Sequence, residues 1–163
     1  MRIRDGIGDM HKFSFFHTTS FTDGEWNRIR QDAAKIVERC RVGKIGLREA
    51  HDIDGLPGIN ERCIRFTGVG ESENSYDLFQ LGRWASQDNK DWIECETSYK
   101  PYGIAVALLL LRVQEIAPAA LELLFPGKWD DNEWSVIRQV YSQLFGQEPI
   151  LRAVTWEHHD PSR

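Results

Sequence analysis

The chain has 163 residues, of which 41% are hydrophobic, 28% charged and 11% aromatic, and a formal charge of −5. That is one domain's length, too apolar for a disordered chain and long enough to bury a core without disulfides or a metal. Three cysteines, Cys40, Cys63 and Cys95, form no Cys-x-x-Cys pair and no Cys/His cluster, which argues against a disulfide framework or zinc ribbon and fits a reducing, cytoplasmic compartment.

Residues 1–10 carry no apolar run of the kind a secretory signal needs and read as an N-terminal arm. Residues 11–20 are rich in Phe and Thr and predict a strand, with Phe13 and Phe15 on one side and Phe16 and Thr18 on the other. Thr22 and Glu25 have the spacing of a capping box, so a helix is expected to start there. Trp26, Ile29, Ala33, Ile36, Val37 and Cys40 then recur at the spacing of one helical face. Glycines at 43, 46, 55 and 58, with Pro57, mark a long connection.

Residues 61–67 alternate charged and apolar side chains and predict a half-exposed strand, with residues 75–81 returning as the second strand of a hairpin. Residues 92–97 are a further strand, with Ile93, Cys95 and Thr97 on one face and Trp92, Glu94 and Glu96 on the other. Pro101 suits the first turn of a helix over residues 102–115. Its apolar stretch, residues 104–111, stops at Arg112, far short of the roughly 18 residues a membrane span requires, so it reads as a core helix and no membrane partner is expected. Residues 121–125 predict a strand. Asp130 or Asp131 is placed to cap a last helix, whose stripe of Trp134, Ile137, Val140, Tyr141, Leu144 and Phe145 closes at Gly146. The pattern predicts an α+β fold, a mainly antiparallel sheet with about three helices packed on one face, in a single domain over residues 11–146 with a C-terminal tail over 147–163.

The stretch CETSYKPYG, Cys95 to Gly103, gives a Cys-x-Thr-x-x-Lys-Pro-Tyr pattern at a strand-to-helix junction. From about residue 61 onward the chain resembles a family of small uncharacterised bacterial, plasmid and phage proteins that share this junction. The similarity extends through residues 129–146, about half of the chain. Members usually carry an acidic residue after the Tyr and a polar turn after the later strand, where this chain has Gly103 and the Leu124, Phe125, Pro126, Gly127 turn. The resemblance implies a mobile-element or host-interaction setting rather than a reaction.

The charge of −5 is unevenly spread. Residues 28–48 hold seven basic and two acidic side chains, and residues 49–98 hold eleven acidic and four basic. Arg28, Lys35 and Arg39 lie opposite the apolar stripe of the first helix, and Arg41, Lys44 and Arg48 continue the run. A phosphate backbone is attracted to such a stripe, and Trp26 or Trp84, if exposed, would stack on a base. The competing reading is a solvated face balanced by Asp32, Glu38 and the acidic middle of the chain. Thr97, Ser98 and Lys100, just ahead of the Pro101 helix, form a second binding candidate because the amides of a helix start favour anions, although local capping explains the hydroxyls equally.

Catalytic candidates are thin. Glu94 and Glu96 share a strand face, and His17 or His51 would have to join them after folding to serve a small hydrolase. Cys95 lies between two carboxylates, which raise a thiol pKa, so it reads as a core thiol rather than a nucleophile. His158, His159 and Asp160 are metal-ligand types without metal-site spacing, and the Gly-x-Gly pairs at 6–8 and 68–70 lack the third glycine and the lysine of nucleotide loops. No catalytic residue, metal or cofactor is assigned. The expectation is a non-enzymatic interaction or regulatory protein of phage or mobile-element origin that binds a host protein or complex, for example to inhibit a host defence system. A nucleic-acid-binding module on the basic face is the alternative, and a small hydrolase the third reading.

Overall fold

A computed structural model describes residues 12–49, 56–69, 77–87, 91–97, 100–127, 129–151 and 154–155. The N-terminal arm over residues 1–10, His51, Ser98 and the His158 to Asp160 cluster lie outside the described residues.

In chain order the elements are β1 (Lys12–His17), α1 (Asp23–Val42), β2 (Leu47–Arg48), β3 (Gly58–Ile59), β4 (Cys63–Gly68), β5 (Phe79–Gly82), β6 (Ile93–Glu96), α2 (Gly103–Ile116), β7 (Leu121–Phe125), α3 (Asn132–Phe145) and β8 (Val154–Thr155). The fold is mixed α+β, with three helices and largely antiparallel sheets, as the sequence pattern predicts. The strands divide between two sheets. One has the order β6-β1-β7-β8, antiparallel except for the β7–β8 pair; in the other, β4 pairs antiparallel with β2, β3 and β5.

Both ends of α1 and the C-terminal end of α3 have a local cause. Thr22 and Glu25 complete the capping box, the Glu25 amide donating to Thr22 Oγ1 at 3.2 Å and the Thr22 amide to Glu25 Oε1 at 2.9 Å. At the other end of α1 the Lys44 amide donates to Arg41 O at 3.1 Å and the Ile45 amide to Cys40 O at 2.8 Å. That is a Schellman closure, and it places Lys44, with φ 59°, in the left-handed position that glycine usually holds. Helix α3 ends conventionally, with Gly146 at φ 72°.

Helix α2 is buried on every side from Ala105 to Gln114, which makes it the central element of the core. An aromatic cluster covers one end of the first sheet: Phe125 stacks on Trp134 at 5.0 Å, Phe13 meets both rings edge-on, and Trp134 Nε1 donates to Pro126 O at 2.8 Å. In the β4–β5 hairpin Phe66 pairs with Phe79 and Ile64 with Leu81, all buried, while Arg65 and Gln80 share the other face. Beyond α3 the chain returns to the body: Gln114 Nε2 donates to Ile150 O at 3.0 Å, and β8 pairs with β7.

The core also holds an ion pair with no counterpart in the sequence reading. Arg112, on the buried helix α2, donates from Nε to Asp32 Oδ2 of α1 at 2.7 Å and from a terminal nitrogen to the Tyr141 hydroxyl of α3 at 3.2 Å. Its guanidinium lies 4.3 Å from the Phe145 ring centroid. One charged group thus joins all three helices.

Candidate functional site

β5 and β6 belong to different sheets, and residues of both segments come together at two places. At one of them the Glu96 amide donates to Asp77 Oδ2 at 2.9 Å, and the Tyr102 hydroxyl lies 2.9 Å from Asp77 O and 3.3 Å from Glu96 O. Elsewhere a cleft of about 260 Å³ is lined by His17, Gln80, Gly82, Trp84, Ser86, Asp91 and Ile93. Trp84 is 57% exposed, and Trp92 (44%) and Ile93 (41%) continue the apolar surface onto β6. Trp92 leans on Phe16 of β1 with ring centroids 6.0 Å apart. The Arg83 guanidinium, which pairs with Asp23, lies 5.2 Å from the centroid of Trp84.

His17, Ser86 and Asp91 share this cleft, so the arrangement must be tested for nucleophilic chemistry. His17 Nε2 lies 2.7 Å from Gly82 O and Nδ1 lies 3.1 Å from Thr19 O. Both ring nitrogens face main-chain carbonyls, which leaves the imidazole a strut between β1 and β5 rather than a base for Ser86. Glu94 and Glu96 line neither this cleft nor the one at the end of α1; Glu94 faces solvent and pairs with Lys12 at 2.8 Å. The hydrolase reading gains no assembled site from these residues.

The junction stretch is a packing device. Cys95 and Thr97 are buried, and burial pushes the Cys95 thiol up to about 12, helped by the nearby Asp77 charge. Tyr102 is 1% exposed, and burial, reinforced by Cys95 and Asp77, raises its phenol above the ordinary value. A side chain at Gly103 would place Cβ 2.9 Å from Thr97 Oγ1, and one at Gly68 would place Cβ 2.7 Å from the Tyr102 ring. Thr97 is therefore committed to the core and is not presented to an anion. Lys100 is exposed at the turn, where its amide donates to Thr97 O at 2.9 Å.

The basic stripe divides. Arg28 and Lys35 are exposed and Arg39 is half-buried along α1, with Lys35 at 3.5 Å from Asp32. Arg41 makes a two-pronged contact with Glu38 at 2.6 and 2.9 Å; that hydrogen bonding lowers the Glu38 pKa and raises that of Arg41. Arg41 and Lys44 border a second cleft of about 290 Å³ with Val37, Ile45, Leu47 and Leu56. Arg48 is buried at 7% exposure and donates to Glu49 O, so it leaves the stripe. Trp26 is buried and donates from Nε1 to Asn60 O at 3.1 Å, which removes it from any stacking role.

Comparison with protein-family models, curated proteins and solved structures returned no match. No helix among the described residues is long and apolar enough to cross a membrane.

The sequence singled out the basic helix and missed most of the cleft. Trp84 stood out only as an aromatic that would stack on a base if exposed, and Gln80, Gly82 and Asp91 carry no motif. What joins them is the placement of β5 against β4 and of β6 against β1, set by contacts remote in sequence.

Proposed function

We propose that the protein acts by binding another protein, and that the partner docks on the apolar surface formed by Trp84, Trp92 and Ile93 beside the β5–β6 cleft. The observation that carries this reading is the exposure of two tryptophans and an isoleucine next to a concave site. Two other tryptophans of this chain, Trp26 and Trp134, are buried with their indole N–H groups hydrogen-bonded. Tryptophan is the side chain most enriched at binding hot spots, and surface tryptophans contribute little to a fold they barely touch. A regulatory role in a phage or mobile-element setting, against a host protein or complex, follows from the family resemblance and is part of the same proposal.

The test is capture of a partner by the wild-type chain and by the Trp84→Ala, Trp92→Ala double variant, with thermal melting to verify that the variant folds. A partner retained by wild type and lost from the folded variant supports the reading. Equal retention refutes it.

A second reading keeps the α1 face as a nucleic-acid interface. Among the described residues the exposed Arg28 and the half-buried Arg39 have no carboxylate partner. It requires binding that falls steeply with salt and weakens when Arg28, Lys35 and Arg39 become alanine; salt-insensitive or undetectable binding rejects it.

A further inference from the structure

We propose that the cleft at the exit of α1 docks an acidic segment of a partner protein, with a bulky apolar side chain entering between Val37, Ile45, Leu47 and Leu56 and a neighbouring carboxylate meeting Lys44. This surface shares no residue with the one formed by Trp84, Trp92 and Ile93, so the two stand or fall separately. Its apolar part is built from both sides of the α1 exit. Those four side chains line a cleft of about 290 Å³, and Arg41 and Lys44 are its charged members among the described residues. Leu56 is 84% exposed. Val69, 53% exposed, packs on Gly46 of the same wall, where an added Cβ would come within 2.8 Å of its own. Two aliphatic side chains left this open at one concave site mark a surface that folding alone does not cover.

Charge selects the occupant. Arg41 is already held by its two-pronged contact with Glu38. Lys44 is exposed and has no carboxylate partner among the described residues. Arg39, likewise without one, reaches the neighbouring turn, a terminal nitrogen lying 3.2 Å from where a Cβ on Gly43 would stand. The fold does not call for a lysine at this position. Its φ of 59° is a conformation that glycine takes without steric cost, and Arg39 and Arg41 already supply the cations that the α1 dipole favours. What remains unmatched is a cation beside an apolar hollow, and a carboxylate next to an apolar side chain complements both.

Other occupants fit less well. A cleft walled by a side chain as open as Leu56 does not enclose a small molecule, which needs most of its surface buried. A phosphate backbone has no use for the aliphatic wall, and an anionic membrane is held by clusters of about four to eight cations rather than by Lys44 and Arg39. A peptide needs only one apolar anchor and one charge pair.

The experiment is a methyl-shift titration of the full chain with a blocked hexapeptide, Ser-Asp-Leu-Leu-Glu-Ser, and two twins. Ser-Asn-Leu-Leu-Gln-Ser removes the charge, and Ser-Asp-Ala-Ala-Glu-Ser removes the apolar anchor. The acidic leucine peptide is expected to give saturable shifts at the methyls of Val37, Ile45, Leu47 and Leu56. Loss of the peptide charge, and separately Lys44→Gly, should each weaken binding by about three- to fivefold. The alanine twin should give no saturating shift, and Leu56→Asp, at a side chain that folding leaves in solvent, should abolish the response. Equal titration by the first two peptides, undiminished binding by Lys44→Gly, or no saturating shift at millimolar peptide overturns the proposal. So does a DNA oligonucleotide or a phosphatidylserine vesicle that shifts these methyls in place of the peptide. The Trp84→Ala, Trp92→Ala double variant should titrate as wild type does; loss of the response there moves the peptide to that surface and overturns the assignment made here. A partner captured through Trp84 and Trp92 while no peptide titrates this cleft removes the present inference and leaves the protein-binding reading intact.

Discussion

Replacing Asp32 by alanine is expected to be among the most damaging single changes in the chain. The carboxylate is about 4% exposed and its partner Arg112 about 7%, so both charges were taken out of water to form the pair. Burial presses the Arg112 guanidinium toward neutrality, and its hydrogen bonds with Tyr141 and Asp32 outweigh that, leaving its pKa above the ordinary value. Without Asp32 the cation keeps only the Tyr141 hydroxyl and the Phe145 and Tyr141 rings. Stranding one member of a buried pair costs about 3–5 kcal/mol, a fifth or more of the roughly 5–15 kcal/mol that holds an ordinary domain together. For a chain of this length the melting temperature should fall by roughly 6–20 °C.

The converse change should be milder. Arg112→Met leaves Asp32 with Lys35 Nζ at 3.5 Å, a counter-ion that reaches it from solvent. Replacing both partners, Asp32→Leu with Arg112→Met, removes the desolvation cost along with the attraction, and is expected to lie within about 2 kcal/mol of wild type. Urea unfolding of wild type, Asp32→Leu, Arg112→Met and the double variant closes a double-mutant cycle, with Asp32→Ala measured beside it. A loss below about 1 kcal/mol for Asp32→Ala, or a double variant worse than either single one, would refute the reasoning, because either result means that the pair is not desolvated as its burial requires.

Gly103→Ala gains helix propensity but drives a methyl to 2.9 Å from the buried Thr97 Oγ1, and a net loss of about 1–2 kcal/mol is expected by chemical denaturation. Lys44→Gly removes a left-handed φ of 59° from a β-carbon-bearing residue and should stabilise the α1 terminus by about 0.5–1 kcal/mol; a destabilised variant would show that the Lys44 side chain itself supports the fold. Cys95 and Cys40, held up to about 12 and about 11 by burial, should resist a maleimide at neutral pH while the half-buried Cys63 reacts first, as peptide mapping would read. With Cys95 raised from 9.0 to about 12, the unfolded chain releases its thiol proton first, so stability should fall as pH climbs through that window, and Cys95→Ala should flatten the fall. An unchanged slope would count against burial as the cause.

Features that depend on neighbours in the chain were legible. Thr22 and Glu25 announce the start of α1 because both halves of a capping box lie within one turn. Phe66, Phe79, Ile64 and Leu81 reveal the hairpin because a period of two needs only the strand itself. Features that depend on remote partners were not. The two-residue strands β2, β3 and β8 are too short to show a period and exist only because a longer strand pairs with them. Asp32 looked like one more surface acid among basic residues, and only the packing of α1 against α2 brings it to Arg112, eighty positions away. The division into two sheets was hidden for the same reason, since nothing local to β5 or β6 says that they stop short of pairing.

The junction stretch and the β5–β6 cleft belong together mechanically. Tyr102 lies against Gly68 of β4 and meets Asp77 and Glu96, so it ties the segment before β5 to the end of β6; His17 ties β1 to β5 through Gly82 O. The positions between these fasteners are set by residues that are themselves buried or hydrogen-bonded, which is the condition for a preorganised site. Trp84 and Asp91 differ in kind. They lie in the segments next to β5 and β6, outside the strands, and Trp84 keeps more than half of its surface in water, so folding accounts for little of its presence. An exposed indole beside a frame of buried and hydrogen-bonded residues is the arrangement expected where stability and recognition are assigned to different residues, as the protein-binding proposal requires of Trp84.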